Sequence, residues 1–362
     1  MAALALYRLP HEDGFTYIEQ TEGQPLTLLS CAELNGRSGF VVAPFAASAD
    51  LPLLLIRPDR VERHCLSDAL DLPLTLRQGE RTASTRITYA IDFANYHAQL
   101  EAGQFQKIVL ARCADCERTA DAAALDLFRK ACERYPRLFV CLVSTPQSGT
   151  WLTATPEILL DGSADEWRTI ALAGTMKLEG EQLAFDTDSQ QGRMPIAWTD
   201  KNIQEQRYVA TYITECLEQL TRDFSEKGPY TARAGNLVHL RSDFRFTLPG
   251  TQPLGDVLQA LHPTPAVCGL PKRRAFDFIQ NNEHTPRRYY SGFMGPLQLA
   301  LPWEEPAGEK THLFVSLRCM EIMAESYRLY AGGGLLTDSE EEQEWQESEA
   351  KMETMRSLVI DN

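Results

Sequence analysis

Apolar positions recur along this chain with two different spacings, and each change of spacing marks a change of element. Apolar residues three and four apart predict helices near 91–102, 121–133, 202–223 and 340–358. Short aliphatic and β-branched runs predict strands at 107–112, 138–144, 158–160, 169–173, 237–241, 313–318 and 327–331. Residues 1–85 are mixed, with short apolar runs such as 51–56 between turn residues and no chemical motif. The strands and helices mix without a regular βαβ beat. That favours an α+β fold with a large, mainly antiparallel sheet over a doubly wound one.

The last helix is unusual in what its apolar stripe contains. At about 100° per residue, Glu344, Glu347 and Lys351 project from one stripe that Met355 and Leu358 continue. Gln346, Glu349, Ala350, Glu353 and Ser357 fall on the other, solvated side. Ionised groups aimed inward are costly unless paired or bound to a metal. The flexible run Ala331-Gly332-Gly333-Gly334-Leu335-Leu336 leads toward this helix and lacks bulky side chains at its centre. Glycines feeding an inward-facing acidic helix look like half of a site for a cation and its anionic ligand. The helix near 202–223 repeats the pattern, since Glu205 shares a stripe with Val209, Tyr212 and Cys216. Carboxylates with few histidines suit a hard cation such as Mg²⁺. Periodicity alone leaves a structural ion pair equally open for Glu205.

Composition narrows the partners. The formal net charge of −15 argues against nucleic acid or an anionic membrane, and any anionic substrate must meet a local cluster of cations. Nine scattered cysteines suit reduced thiols in a cytoplasm, and Cys113-x-x-Cys116, with no second pair, reads as structural. The amino terminus lacks a basic region followed by a long apolar one, so no signal peptide is expected. No apolar run approaches the roughly 20 residues of a membrane span.

Six segments then occur in a telling order: Lys107-Ile-Val-Leu-Ala-Arg112, Ala154-Thr-Pro-Glu157, Leu172-Ala-Gly-Thr175, Leu261-His-Pro-Thr-Pro-Ala266, Ser316-Leu-Arg318 and the stretch 331–351. This series closely resembles the chorismate-utilising enzymes, which include isochorismate and salicylate synthases and the synthase subunits of anthranilate and aminodeoxychorismate synthases. The resemblance covers roughly residues 90–358, about three-quarters of the chain. It implies one large domain in which two halves, built from antiparallel sheets with helices outside, sandwich a Mg²⁺-dependent chorismate site. Residues 1–89 would be a divergent part of that fold, and residues 90–362 its chorismate-binding core.

The resemblance also implies roles. Isochorismate formation needs water activated for attack at ring C2 and a proton for the departing C4 hydroxyl. Lys107 matches the base and Glu157 the acid. A lysine base must be neutral part of the time, which burial or nearby cations favour; desolvation would keep the Glu157 proton available. Without the resemblance, Lys107 reads as an ordinary strand-edge lysine. Gly174 and Thr175 match a substrate-contacting turn, and Ala266 a backbone contact to substrate. Arg318, which by period two shares a strand face with Phe314 and Ser316, matches the anchor of the enolpyruvyl carboxylate, with Gly332 beside it and Lys351 as second cation. Glu205 and Glu347 match the Mg²⁺ ligands, Glu344 assisting through a water, and His239 matches a histidine near the metal.

Ala173 stands where some aminodeoxychorismate synthases carry a covalent lysine, which disfavours that branch. Gln206 replaces a histidine common in the family and is expected to alter support around the ligand rather than the ligand itself. The segment 281–310 reads as an extension, with Arg287, Arg288, Tyr289 and Tyr290 as surface features without a role. The implied activity is reversible conversion of chorismate to isochorismate by a cytoplasmic monomer without a glutaminase subunit, feeding menaquinone or siderophore synthesis. Salicylate synthase is the alternative, and a glutamine-fed aminase subunit a more distant one.

Overall fold

A computed structural model describes residues 2–79, 84–118, 123–164, 166–178, 196–234, 237–248, 253–303 and 308–360. The chain begins with β1 (Ala3–Arg8), β2 (Gly14–Gln20), β3 (Leu26–Leu28), β4 (Gly39–Ala43), β5 (Leu53–Ile56) and β6 (Arg60–Cys65). Next come α1 (Arg86–Glu101), β7 (Lys107–Glu117), α2 (Ala124–Arg134), β8 (Phe139–Thr145), β9 (Gly149–Thr155), β10 (Ile158–Ser163) and β11 (Glu166–Lys177). The middle holds α3 (Asp200–Leu220), β12 (Phe224–Ala234), β13 (Leu237–Phe246), α4 (Leu254–Leu261), β14 (Gly269–Leu270) and α5 (Lys272–Asn282). The end is β15 (Phe293–Leu297), β16 (Leu299–Ala300), β17 (Glu309–Val315), β18 (Cys319–Ile322), β19 (Ser326–Leu335) and α6 (Glu341–Val359).

Two large sheets carry these strands, in the orders β14-β7-β19-β18-β9-β8-β1-β2-β6 and β12-β13-β11-β10-β17-β15-β4-β5-β3. Every pairing between these named strands is antiparallel, for instance Gly332 opposite Ala111 in β19 and β7, and Thr175 opposite His239 in β11 and β13. The fold is thus α+β, as the mixed pattern predicts.

Period two decides which face each strand shows. In β1, Ala3, Ala5 and Tyr7 face the other sheet and join Phe40, Val42 and Phe314 in an inner core, where Phe139 and Phe314 stack with centroids 4.3 Å apart. Leu4 and Leu6 face outward under α2 and α6, packing with Phe128, Met352 and Met355. The second sheet's outer face is covered by α3 and α4 through Val209, Ile213, Val257 and Leu258. A fourth cluster seats α1 and α5 beside β7. Strands covered on both faces read as continuous apolar runs rather than alternations, so β1, β5 and β8 carry little period-two signal. Residues 1–65 supply strands to both sheets.

Candidate active site

Two glycine-dependent deviations in the sheets open the site. In β11 the pairing with β13 shifts between Ala173 and Thr175, and Gly174 at the bulge has φ +71°, the left-handed region that disfavours other residues. In β19, Gly334 lies against the side chains behind it: a Cβ there would stand 2.2 Å from Glu205 Oε1 and 2.6 Å from Lys107 Cε. Only a residue without a side chain lets β7, β19 and α3 converge this closely.

One pocket gathers Glu157, Gly174, Thr175, Glu205, Ala266, Arg318, Gly332 and Lys351, together with His239 and Tyr290. Lys107 is fully buried behind Glu205, its ammonium 2.9 Å from Glu205 Oε1. The other carboxylate oxygen of Glu205 accepts from the backbone N–H of Gly174 at 3.1 Å. Burial would lift the Glu205 carboxyl, yet Lys107 and Lys351 outweigh it and hold the group below its ordinary value. Glu157 is equally buried but has only a long contact, Thr264 Oγ1 at 3.5 Å. Burial dominates there and pushes its carboxyl up to about 7, against the lowering pull of Lys107 and Arg318.

Arg318 lies just beyond the end of β17, in the short link to β18, and not on the strand face expected for it. Its φ of +47° swings it out of register with Phe314. The period-two argument fails there because the strand has already ended at Val315. The strained link aims the guanidinium into the pocket, where Nη1 is buried with no hydrogen-bond partner among the described residues. Nη2 meets His239 Nε2 at 2.5 Å, and His239 Nδ1 lies 3.0 Å from the Gly174 carbonyl. The ring therefore donates from Nδ1 and accepts at Nε2, as a neutral tautomer. Burial and the adjacent Arg318 keep its pKa well below the usual histidine value. His239 orients an arginine. Burial lowers the Arg318 pKa to about 10, which leaves it charged at neutral pH.

Three positions of the expected α6 stripe, Glu344, Met355 and Leu358, are buried, and Ser348 and Met352 join them, while Glu347 and Lys351 flank the stripe half-buried. Glu349, read as solvated, pairs with buried Arg112, whose Nε also donates to Ser348 Oγ at 2.5 Å. The cause lies outside the helix: a buried arginine on β7 demands a carboxylate. Lys351 bridges Glu347 Oε1 at 2.6 Å and the Gly332 carbonyl at 2.8 Å. Lys201, at the start of α3, pairs with Glu344 Oε1, which also accepts from Ser339.

Glu205, Glu347 and Glu344 are thus each matched by a lysine, and among the described residues no three metal-ligating side chains form a ready-made cluster. The set nonetheless fits a hard divalent cation. Among the described residues Glu344 Oε2 has no hydrogen-bond partner; it is buried and faces Gly333, where a Cβ would stand 2.8 Å away. Burial first and Glu347 second raise the Glu344 carboxyl. Gln206 donates to the Ala171 carbonyl at 3.2 Å, so it braces β11.

The segment read as surface is interior. Arg287, Tyr289 and Tyr290 are buried, Arg288 pairs with Glu321, and Tyr290 lines the pocket, stacked on Tyr330 at 5.5 Å. The aromatic pair just ahead of the apolar run 293–297 is the signal that could have revealed it.

Comparison with known proteins places this geometry. A family model described as "Chorismate binding enzyme" matches residues 66–360. Isochorismate synthase MenF of Escherichia coli is 30% identical over 262 residues, which is 71% of this chain and 56% of that protein. Isochorismate synthase DhbC of Bacillus subtilis is 27% identical over 98% of this chain and 89% of its own length. The chain therefore spans little more than half of MenF but most of DhbC. The solved structure of E. coli MenF superposes with a TM-score of 0.78 at 23% identity, covering 99% of this chain and 89% of that one, a likeness of fold.

Proposed function

The chain belongs to the chorismate-binding enzymes, and on that premise we propose that it is an isochorismate synthase, a Mg²⁺-dependent isomerase interconverting chorismate and isochorismate. The observation that carries this reading is the pairing of Glu157, an acid still half-protonated near pH 7, with a buried lysine across the same site. Lys107, an ammonium in its pair with Glu205, gives up a proton to solvent and then takes one from water as the water oxygen bonds to ring C2. The double bonds shift, and the C4 hydroxyl leaves as water with the proton of Glu157. One water enters and one departs, so the net change is an isomerisation. Glu157 then takes up a proton from solvent, which balances the one that Lys107 released at the start.

Substrate recognition falls to Arg318, which has a buried guanidinium nitrogen to offer a carboxylate, and to Lys351 at the glycine run. Gly174, Thr175, Ala266 and Gly332 form the walls against the ring. Glu205 and Glu347 would hold the Mg²⁺, with Glu344 assisting through a water. When bound, the ion supplies positive charge for the ring carboxylate that a chain of net charge −15 otherwise repels. The groove of about 1070 Å³ that reaches Thr175 and Glu347 gives such a substrate a way in.

The reading takes the chain as a cytoplasmic monomer acting without a glutaminase partner, feeding menaquinone or siderophore synthesis. Ala173 leaves no lysine for a covalent route, and the described residues contain no helix long and apolar enough to cross a membrane. Incubation with chorismate and Mg²⁺, without ammonia or glutamine, should give isochorismate and stop at an equilibrium mixture. Salicylate and pyruvate as main products would move the assignment to salicylate synthase.

A further inference from the structure

Strand β7 brings Lys107 into the site, and one side of it is only briefly covered. Its partner there, β14, is two residues long and pairs with Lys107 and Ile108 alone. Past that point the Val109 N–H still finds the Cys268 carbonyl at 2.7 Å, but among the described residues no strand pairs with the groups that follow on this side. Two side chains take the place of a strand. Glu283 Oε1 accepts from the Ala111 N–H at 2.8 Å, and Arg287 Nη2 donates to the Val109 carbonyl at 2.7 Å.

The same two residues hold each other and a third element. Arg287 Nε meets Glu283 Oε2 at 2.5 Å and Nη2 meets Oε1 at 2.7 Å, both side chains being almost wholly buried. Arg287 Nη1 donates to the Val267 carbonyl at 2.7 Å, next to Ala266 in the pocket wall. The Arg287 carbonyl accepts from the Tyr290 N–H at 2.9 Å, closing the turn that delivers Tyr290 to the pocket. A buried ion pair stabilises little by itself and costs much when one partner is removed. This pair is fully hydrogen-bonded, and what its bonds fix is the position of three walls.

We propose that Glu283 and Arg287 are positioning residues for the reaction: a side-chain clamp that completes the open edge of β7, ties it to the 264–268 loop and sets the width of the substrate pocket. Its kinetic consequence rests on the isochorismate synthase reading; its structural consequence does not. The clamp should act on substrate binding more than on the chemical step, because it touches walls and neither Lys107 nor Glu157.

The test uses Arg287→Lys and Glu283→Gln, with Arg328→Lys as control. Arg328 and Asp115 form another ion pair across β7 and β19, at 2.7 Å, largely buried and not part of the pocket lining. Hydrogen exchange is read on peptides covering 107–112 and 262–270, and KM and kcat for chorismate are measured alongside. Loss of charge-assisted bonds should speed exchange in both peptides by about tenfold in the clamp variants and leave it unchanged in the control. KM should rise by about tenfold with kcat within about twofold, whereas the control loses thermal stability with KM intact. Should Arg287→Lys fail to fold, Glu283→Gln, which keeps an acceptor for Ala111, carries the test. Unchanged exchange in a folded clamp variant overturns the clamp whatever the substrate. Faster exchange in a wild-type background that neither binds nor turns over chorismate would keep the clamp and overturn the functional reading. Equal KM changes in clamp and control variants would reduce the pair to ordinary stability.

Discussion

Glu157 and Glu205 stand on different walls of one pocket, both buried, and are driven in opposite directions. Glu157, at the entry to β10, has a single long hydrogen bond, and burial pushes it up to about 7. Glu205, on α3, meets an ammonium and a backbone N–H, and these neighbours hold it down despite the same burial. Desolvation is common to both, so it cannot decide the outcome; the partners do. One carboxyl thereby keeps its proton to higher pH and the other stays an anion, the division that the proposed roles of acid and cation ligand require.

The largest expected effect comes from removing each charge in turn. If Glu205 holds the ion as proposed, Glu205→Gln should lower kcat by about 10²-fold or more and weaken Mg²⁺ binding, read by calorimetry, since it replaces a charged carboxylate with a neutral amide and removes the counter-charge of Lys107. Glu157→Gln should lower kcat by a similar factor of about 10² while leaving Mg²⁺ binding as in the wild type. Equal losses of metal affinity in both variants would erase the distinction between the two walls.

A second test titrates the difference. As the proposed acid, Glu157 must be protonated to act, so the rate should fall as pH rises through about 7, and Glu157→Gln should lose that limb. The sign for stability follows from the same value. The unfolded carboxyl titrates near 4.5 and the folded one near 7, so the native state holds its proton longer. Stability from this group is complete below about 4.5 and drains away up to about 7, on the order of 3 kcal/mol in all. Glu157→Gln should therefore melt at the wild-type temperature at pH 4 and above it at pH 8. A wild type that melts no lower than this variant at pH 8 would show that Glu157 carries no such cost.

How much of this was legible in the sequence differs by element. Helices α3 and α6 and the strands around Lys107 and Thr175 are visible because long elements with one clear period dominate their windows. Residues 1–65 hide six strands, since β1, β4 and β5 are buried on both faces and lose alternation. Helices α4 and α5 went unread, each short and bounded by Pro253 and Pro271 at its start. On α6 the ends of the stripe, Glu344, Met355 and Leu358, are as expected, while its middle shifts to Ser348 and Met352, and Glu349 on the side read as solvated pairs with Arg112 from another strand. The residues 287–290 look polar in sequence, yet their charges are consumed by Glu283, four residues earlier, and by Glu321, a partner from another strand that no local pattern announces. Arg318 was found by its motif and misplaced by its period, as a left-handed link breaks the alternation on which that argument rests.

The smallest expected effect separates recognition from catalysis on the Glu157 wall. Arg318 is one of the charges that restrain Glu157, and it also presents an unpartnered nitrogen to the pocket while His239 fixes its other end. Arg318→Lys keeps the charge and loses the planar fork. The upper pH limb should then stay near 7, because the restraining charge remains. KM for chorismate should rise by about tenfold, the size expected for one lost charge-assisted hydrogen bond. If Arg318 serves instead to steady the β17–β18 link, whose φ of +47° also strains a lysine, the variant will melt earlier with KM unmoved. A shifted pH limb with unchanged KM would give a third result: Arg318 would act on Glu157 and leave the substrate carboxylate to Lys351.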